Sequence, residues 1–366
     1  MSHPPLSGAR FPNMSSPSGL PFIFQFPAAS LRRIFQAPWF YCICLHAFSA
    51  LLQGAATGKE NNMIPRLDAA LIAAGHPETL DALRKASEEI GFLTVYNTGL
   101  DRTRMETVLD AYRRFFHLPE RVKRDVDMAR TGSNRGWGAP GSEQVDPDAN
   151  PDYKQFFDCG FELPADDPFA GLSVYAPNLW PEQPNDFREI VQDYYRDTIS
   201  VCLTLLRGIA EAIGEDPHYF DDKFTRPMAL LRGNFYPSRP VWAGAKDFGI
   251  ATHTDYGCLT LLATDGSPGL EVRKKGGGWI PVSAPPGEFV INFGEMLEFW
   301  SGKRVIATPH RVVGGVNERI SIPMFFNPNH DTDVSPANSD EVILAGDHMA
   351  KRFNETYVHL QKSNDS

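Results

Sequence analysis

The fold is decided by a stretch in the second half of the chain, His253-Thr254-Asp255-Tyr256-Gly257-Cys258-Leu259-Thr260-Leu261-Leu262. Its apolar part predicts a strand over Cys258–Thr264, because apolar and β-branched residues dominate there. Side chains two residues apart in an extended segment point to the same side. His253 and Asp255 can therefore face one common centre at the start of this strand.

Further short strands are predicted on both sides of this stretch, separated by turns rich in Gly and Pro at 265–269, 276–278 and 285–287. The predicted strands are Met228–Tyr236, Leu270–Arg273, Trp279–Val282, Phe289–Phe293, Arg304–Ala307, His310–Val313 and Ile320–Phe326. Many short strands at close spacing are typical of a β-sandwich or barrel. This part of the chain is therefore expected to be a jelly roll.

The preceding part of the chain has a different pattern, in which apolar residues recur at helical spacing. Strands are predicted at Ile64–Asp68 and Phe92–Tyr96, and helices over 80–90, 103–116 and 185–213. The Gly-rich and Pro-rich stretches 130–151 and 164–184 are expected to be loops, and the tail from Ser339 is expected to form a closing helix. The fold class is therefore α+β, with helices flanking the jelly roll.

Composition excludes several classes of protein. The chain has 366 residues, 42% of them apolar, and a net charge of −10 from 35 basic and 45 acidic residues. An acidic chain without a basic block is a poor general nucleic-acid binder, and none is expected as a partner. Five cysteines without a CxxC pair do not form a secreted disulfide framework or a zinc ribbon.

Residues 1–62 differ from the rest and are left out of the fold prediction. They hold four basic residues and one acidic residue, with an apolar run at 37–52. Three interpretations stay open: a dispensable or artefactual extension upstream of Met63, a disordered or targeting segment, and a membrane anchor. The folded part is expected in the cytoplasm, without a membrane. The predicted organisation is an extension at 1–62, an N-terminal region at 63–184, a backing helix and connection at 185–225, a core at 226–332 and a tail helix at 333–366.

His310 completes a candidate metal site with His253 and Asp255. It lies 55 positions after Asp255, at the head of a predicted strand. Two imidazoles and one carboxylate are the ligand set of non-haem Fe(II) oxygenases, in which three open positions remain for cosubstrate and O₂. The same ligands also suit catalytic zinc. However, a His-Glu-x-x-His motif is absent from the sequence, and zinc gives no role to the residues described next.

A candidate carboxylate site accompanies these ligands. Arg319 and Ser321 share a face of one predicted strand, so a guanidinium and a hydroxyl can hold one carboxylate together. Tyr236 shares a face with Asn234, and its phenol can donate to the same carboxylate. Arg232 precedes Asn234 by two and is expected either to contact an anionic substrate or, preferably, to form a surface ion pair.

The order of these elements resembles the isopenicillin N synthase-like family of Fe(II)/2-oxoglutarate-dependent oxygenases. In the second half the resemblance rests on Asn234–Pro237, His253–Leu262, Gly269–Val272, Trp279, Asn292–Leu297, Trp300, His310–Val312 and Arg319–Ser321. In the first half it rests on Ile64-Pro65 with Asp68, Gly91-Phe92 with Asn97 and Gly99, and Phe115-Phe116 with Leu118-Pro119. It covers residues 63–331.

The resemblance implies a double-stranded β-helix with Fe(II) held by His253, Asp255 and His310. It also implies that Arg319 and Ser321, assisted by Tyr236, bind 2-oxoglutarate. The expected enzyme consumes O₂ and 2-oxoglutarate, with ascorbate as a candidate reductant, and releases succinate and CO₂ while it hydroxylates, desaturates or cyclises a small molecule. Two alternatives within the family stay open: an ethylene- and succinate-forming enzyme that also hydroxylates arginine, and an isopenicillin N synthase-like oxidase that needs no keto acid. A non-catalytic binding protein is a third. The oligomeric state is not predicted.

Overall fold

The computed structural model describes residues 64–130, 133–146, 148–244, 247–337 and 339–356. The expectations for residues 1–62 lie outside this part of the chain. Within these ranges, every helix is too short or too polar to span a lipid bilayer.

Two β-sheets form the centre of the described chain. One has eight strands in the order β1-β2-β10-β7-β12-β5-β4-β3, and the other has four in the order β6-β11-β8-β9. Neighbouring strands are antiparallel, except for the parallel pair of β1 and β2. The strands are β1 (Arg66–Asp68), β2 (Phe92–Tyr96), β3 (Gly136–Gly138), β4 (Gln155–Gly160), β5 (Leu230–Tyr236), β6 (Ile250–His253), β7 (Leu259–Thr264), β8 (Leu270–Arg273), β9 (Trp279–Val282), β10 (Phe289–Phe293), β11 (His310–Val312) and β12 (Arg319–Phe326).

Helices cover one face of the eight-stranded sheet, and the longest of them packs on β7 and β12. The helices are α1 (Ala69–Ala73), α2 (Pro77–Glu89), α3 (Arg102–Phe116), α4 (Glu120–Lys123), α5 (Phe187–Ala212), α6 (Glu295–Trp300) and α7 (Ala345–Thr356). Short 3₁₀ turns lie at Arg124–Val126, Met128–Arg130, Ser173–Tyr175 and Asp221–Phe224. The α+β fold class predicted from the sequence is confirmed.

The strands of the large sheet have two different faces, and their alternation places the site. In β12, Ile320, Ile322, Met324 and Phe326 belong to the apolar core shared with the helices. The alternate residues of β12 line an internal cavity: Arg319, Ser321, Pro323 and Phe325. Because strand side chains alternate between the two sides, one strand contributes both to the core and to the cavity wall.

Two expectations about local structure are wrong. Arg304–Ala307 is not a strand: the amide of Ile306 donates to Ser87 and that of Ala307 to the Glu298 carboxylate, so no neighbouring strand of the described chain pairs with this segment. Within the predicted loop 130–151, Gly136–Gly138 forms β3 against β4. A Cβ on Gly138 would lie 2.2 Å from the Phe156 ring, so glycine permits this pairing.

Apart from β3, five helices and strands were not predicted: β4, β6, α1, α4 and α6. The strand β6 is four residues long and is an edge strand of the small sheet. Such short segments carry too little periodicity to be recognised from sequence.

Candidate metal centre and cosubstrate pocket

The two histidines lie opposite each other on paired strands. His253 ends β6 and His310 begins β11, and the antiparallel register places them as partners. Asp255 follows β6 by two residues. Its Oδ1 lies 3.7 Å from Nε2 of each histidine, and the candidate ligand atoms of the three residues all lie within 4.8 Å of one another. The structure therefore brings all three predicted ligands together.

Hydrogen bonds orient each of these side chains. Nδ1 of His253 donates to the Ala251 carbonyl at 2.9 Å, and Nδ1 of His310 donates to the Thr308 carbonyl at 3.1 Å. A carbonyl only accepts, so these bonds place the imidazole proton on Nδ1 and leave the Nε2 lone pair facing the centre.

The carboxylate of Asp255 is held in the same way through one of its oxygens. Its Oδ2 accepts hydrogen bonds from Thr260 and from Asn292, both at 2.6 Å, which leaves Oδ1 directed at the histidines. Both partners lie inside the motif that carries the family resemblance, but sequence reasoning gave them no role. Thr260 is predicted to lie on a strand in which its neighbours are apolar, and this break in the pattern is the signal that could have identified it.

The pKa shifts of His253 and Asp255 suit metal binding. Burial, together with the charge of His310, lowers the pKa of His253 to about 4. Burial would raise the pKa of Asp255, but the neighbouring imidazoles of His310 and His253 and the hydrogen bonds from Thr260 and Asn292 lower it below its usual value. A neutral imidazole and an ionised carboxylate are the forms that bind metal ions. The donor set of two imidazole nitrogens and one carboxylate oxygen fits Fe(II).

The second predicted group lies on β5 and β12, where Arg319 pairs with Tyr236 and Ser321 with Asn234. The guanidinium of Arg319 lies over the Tyr236 ring at 5.1 Å. Its Nε donates to the Ser267 carbonyl at 3.4 Å, while its Nη1 is buried without a hydrogen-bond partner among the described residues. The hydroxyl of Ser321 donates to the Tyr236 oxygen at 3.5 Å.

Burying a cation without a counter-charge costs free energy. An anion bound beside Arg319 would supply the missing counter-charge. Arg319 is only 4% exposed, and the described residues place no carboxylate in ion-pair contact with it. The orphaned Nη1 and the two nearby hydroxyls are donors of the kind that hold a carboxylate. These residues therefore fit the distal carboxylate of 2-oxoglutarate.

One cavity contains both groups. The volume of this cavity is about 150 Å³. Its wall includes His253, Asp255 and His310 together with Arg319, Ser321 and Tyr236. Met349 and Phe353 of α7 contribute to the same wall. A metal and a diacid bound at the predicted residues would therefore share one cavity.

The expectation that Arg232 forms a surface ion pair is wrong. Arg232 is buried and donates to Asp158 through Nε and Nη2, at 2.8 and 2.7 Å, and to Glu143 through Nη1 at 2.7 Å. Glu143 also accepts from Lys154. Sequence reasoning missed the acidic residues and Lys154, because charged residues near a loop resemble an ordinary solvated surface.

Comparisons with known proteins agree with this geometry. Residues 64–183 match the model of the family described as non-haem dioxygenase in morphine synthesis N-terminal, and residues 227–328 match that of the 2OG-Fe(II) oxygenase superfamily. A 2-oxoglutarate-dependent dioxygenase of Didymella fabae is 31% identical over 319 residues, which cover 81% of this chain and 96% of the relative. A homoarginine-6-hydroxylase of Arabidopsis thaliana is 32% identical over 268 residues, covering 72% and 80%.

Solved structures show a similar fold. A full-length protein of Neurospora crassa, crystallised with α-ketoglutarate and thymine, superposes with a TM-score of 0.71 at 28% identity, and the match covers 82% of this chain and 99% of that protein. α-Ketoglutarate is 2-oxoglutarate, the diacid that the Arg319 site fits.

Proposed function

Because this chain belongs to the 2OG-Fe(II) oxygenase superfamily and is a 2-oxoglutarate-dependent Fe(II) dioxygenase, we propose that His253, Asp255 and His310 hold its iron and that Arg319, Ser321 and Tyr236 hold its 2-oxoglutarate. The observation that carries the proposal is the shared cavity, in which the three candidate ligands converge and Arg319 has a buried donor without a partner among the described residues.

When bound, Fe(II) supplies the redox chemistry that couples decarboxylation of 2-oxoglutarate to succinate and CO₂ with oxidation of a small molecule. The residues of this chain supply position and dryness. Arg319 and Ser321 hold the distal carboxylate, so the other end of the diacid is directed toward the triad. The carbonyl contacts of both histidines keep Nε2 available, and the apolar wall limits the access of water.

The site acts on a small molecule. The relatives differ in the substrates that their names give: one is a homoarginine hydroxylase and another was crystallised with thymine. The reaction type, whether hydroxylation, desaturation or cyclisation, therefore stays a prediction.

Two further expectations remain proposals. Ethylene formation from 2-oxoglutarate would need the same metal and diacid sites, and the family resemblance is its support. A location of the folded part in the cytoplasm rests on composition alone. An oxidase without a keto acid is not favoured, because relatives such as the one from Didymella fabae are named 2-oxoglutarate-dependent dioxygenases.

The proposal is tested by incubating the purified full-length protein with Fe(II), ascorbate and 2-oxoglutarate, and measuring succinate by chromatography and ethylene in the headspace. We expect Fe(II)-dependent succinate in the wild type and none in His253→Ala or Asp255→Ala. The control is His218→Ala, an exposed histidine outside the cavity. Succinate formation in either ligand variant would contradict the assignment, and ethylene in the headspace would favour the ethylene-forming alternative.

A further inference from the structure

The cavity wall carries a second set of charged groups that the metal and 2-oxoglutarate do not use. Glu143, Lys154 and Arg232 line the cavity and are all buried. Asp152 and Asp158 are buried behind them. Burying five ionisable groups beside a substrate cavity is expensive unless each is compensated, so their pairing constrains what else can bind.

The contacts show that the acids and bases of this cluster satisfy one another. Glu143 accepts from both Lys154 and Arg232. Arg232 also forms a two-pronged ion pair with Asp158. The ammonium of Lys154 lies 3.5 Å from an oxygen of Asp152. The two bases therefore face three acids, and the cluster alone has one surplus negative charge.

Arg135 supplies the balancing positive charge. It is 2% exposed, lines the same cavity, and donates through Nη1 and Nη2 to the carbonyls of Asn134 and Val174. It lies directly before β3, in which Gly136 is the register partner of Asp158. Burial raises the pKa of Asp158, and the positive charge of Arg135 is one of the effects that oppose this rise. By count, the positive charges of Arg135, Lys154 and Arg232 equal the negative charges of Glu143, Asp152 and Asp158, and Arg135 acts on Asp158 without an ion-pair contact in the described chain.

A charged substrate would disturb this balance. A carboxylate would meet Glu143 together with Lys154 and Arg232, which already have acidic partners. An ammonium or guanidinium would meet a Glu143 that two bases already occupy. Either would place an uncompensated ion beside buried charged groups, which is strongly unfavourable. An uncharged molecule avoids this cost.

The remaining wall indicates what such a molecule would contain. Much of it is apolar, with side chains from several elements: Val145, Met228, Leu230, Phe325, Met349 and Phe353. Two adjacent residues that line the cavity each have a buried polar atom without a hydrogen-bond partner among the described residues: the amide oxygen of Asn134 and Nε of Arg135. They offer one acceptor and one donor on adjacent residues.

We infer that the primary substrate is an uncharged, largely apolar small molecule with a hydrogen-bonding group such as an amide, imide or hydroxyl, which Asn134 and Arg135 bind. This inference rests on the proposed function. That function assigns the metal and 2-oxoglutarate to the parts of the cavity around Asp255 and Arg319, and the remaining part is left for the substrate.

The test is ligand-observed NMR on the full-length protein with 2-oxoglutarate and Mn(II), a paramagnetic ion that suits these ligands and broadens signals of molecules bound near it. The probes are matched fragment pairs, each carboxylate with its primary amide and each primary amine with its N-acetyl derivative. We expect broadening of uncharged members at concentrations at least about tenfold below those needed for their charged partners. Equal or stronger broadening of the charged members, or no broadening of any fragment, would overturn the inference.

The same spectra separate this inference from the proposed function. If Mn(II) fails to broaden the signals of 2-oxoglutarate itself, the metal and diacid sites are wrong. If 2-oxoglutarate is broadened and the fragments show the opposite preference, only the substrate class is wrong.

Two variants test the charge balance directly. Glu143→Gln leaves a surplus positive charge and should improve carboxylate binding at least about tenfold relative to the amide, whereas Lys154→Met should shift preference toward amines. Glu143→Gln keeps the shape of the side chain and carries the test if Lys154→Met does not fold. Lys275→Met, at an exposed lysine outside the cavity, should leave the preference unchanged. An unaltered preference in Glu143→Gln would contradict the balance.

Discussion

At the scale of single residues, two buried arginines on neighbouring strands show how surroundings decide a role. Arg232 and Arg319 both point into the cavity. Arg232 is saturated by Asp158 and Glu143, whereas the Nη1 of Arg319 has no partner among the described residues. Because a buried guanidinium needs an anion, Arg319 is the one of the two that is available to an incoming carboxylate.

We predict that Arg319→Ala raises the apparent KM for 2-oxoglutarate about 30- to 1000-fold, since a buried charged contact contributes on the order of 2–4 kcal/mol. Succinate formation at varied 2-oxoglutarate measures this. Arg319→Lys keeps the charge without the two-pronged geometry, so its KM for 2-oxoglutarate should lie between those of the wild type and Arg319→Ala. Arg273→Ala, at an exposed arginine outside the cavity, is the control, and an unchanged KM in Arg319→Ala would assign that residue another role.

At the scale of elements, β6 depends on a segment that is not a strand. In the described sheet it pairs with β11 alone, and at its other edge the amide of Ala251 donates to Asp152 at 3.2 Å. The carbonyl of Ala251 in turn accepts from His253. Nearby, the amide of Tyr153 donates to the Phe248 carbonyl at 3.0 Å. Asp152 therefore helps to position the strand that carries the first metal ligand.

We predict that Asp152→Ala weakens Mn(II) binding about 10- to 100-fold, the usual effect of removing an outer partner of a metal ligand. Calorimetric titration with Mn(II) measures this directly and does not depend on turnover. Asp166→Ala, at an exposed aspartate, is the control. Unchanged Mn(II) affinity in a folded Asp152→Ala protein would show that the bond to Ala251 has no positioning role.

Asp152 also predicts a pH dependence of stability. Burial raises its pKa from 3.8 to about 6, although the charge of Lys154 opposes the rise. Between these values the native state holds a proton that the unfolded state has lost. This carboxyl therefore lowers the free energy of unfolding as pH rises from about 4 to about 6, by about 3 kcal/mol.

Asp152→Asn removes this contribution. Urea denaturation of both proteins gives the difference between their free energies of unfolding. We expect this difference to shift by about 3 kcal/mol in favour of Asp152→Asn between about pH 4 and about pH 7. The comparison cancels the other carboxyl groups, which are common to both proteins. A constant difference across this range would contradict the raised pKa.

At the scale of the whole molecule, an aromatic cluster joins the helices to the sheet. Phe187, at the start of α5, is fully buried and its ring lies 5.0 to 6.3 Å from the rings of four other residues: Tyr112, Phe115, Phe157 and Trp180. These belong to α3, to β4 and to the connection before α5. The helices thus pack against one face of the eight-stranded sheet, and the opposite face of that sheet lines the cavity.

We predict that Phe187→Ala lowers the free energy of unfolding by about 3–5 kcal/mol, because it leaves a cavity in this cluster. Urea denaturation measures the loss. Trp242→Ala, at an aromatic residue that is 66% exposed, should cost less than about 1 kcal/mol. Equal losses in the two variants would show that the cluster contributes little to stability.

Local pattern in the sequence predicted much of the fold. The boundaries of β2, β8, β9 and β10 agree with the prediction. Each is a short apolar run between turn residues, so its limits are set by residues that are adjacent in the sequence. The three metal-ligand candidates were also predicted, since His253 and Asp255 share a face wherever the segment is extended.

Tertiary structure alone decided which segments pair and which charges are compensated. Arg304–Ala307 has strand-like residues but no strand of the described chain beside it, and Gly136–Gly138 has few but pairs with β4. Likewise, Arg232 and Arg319 have the same side chain at comparable positions, and only the distant Glu143 and Asp158 make them different. The physical reason is that pairing and charge compensation act between residues far apart in the chain, whereas a sequence pattern records only neighbours.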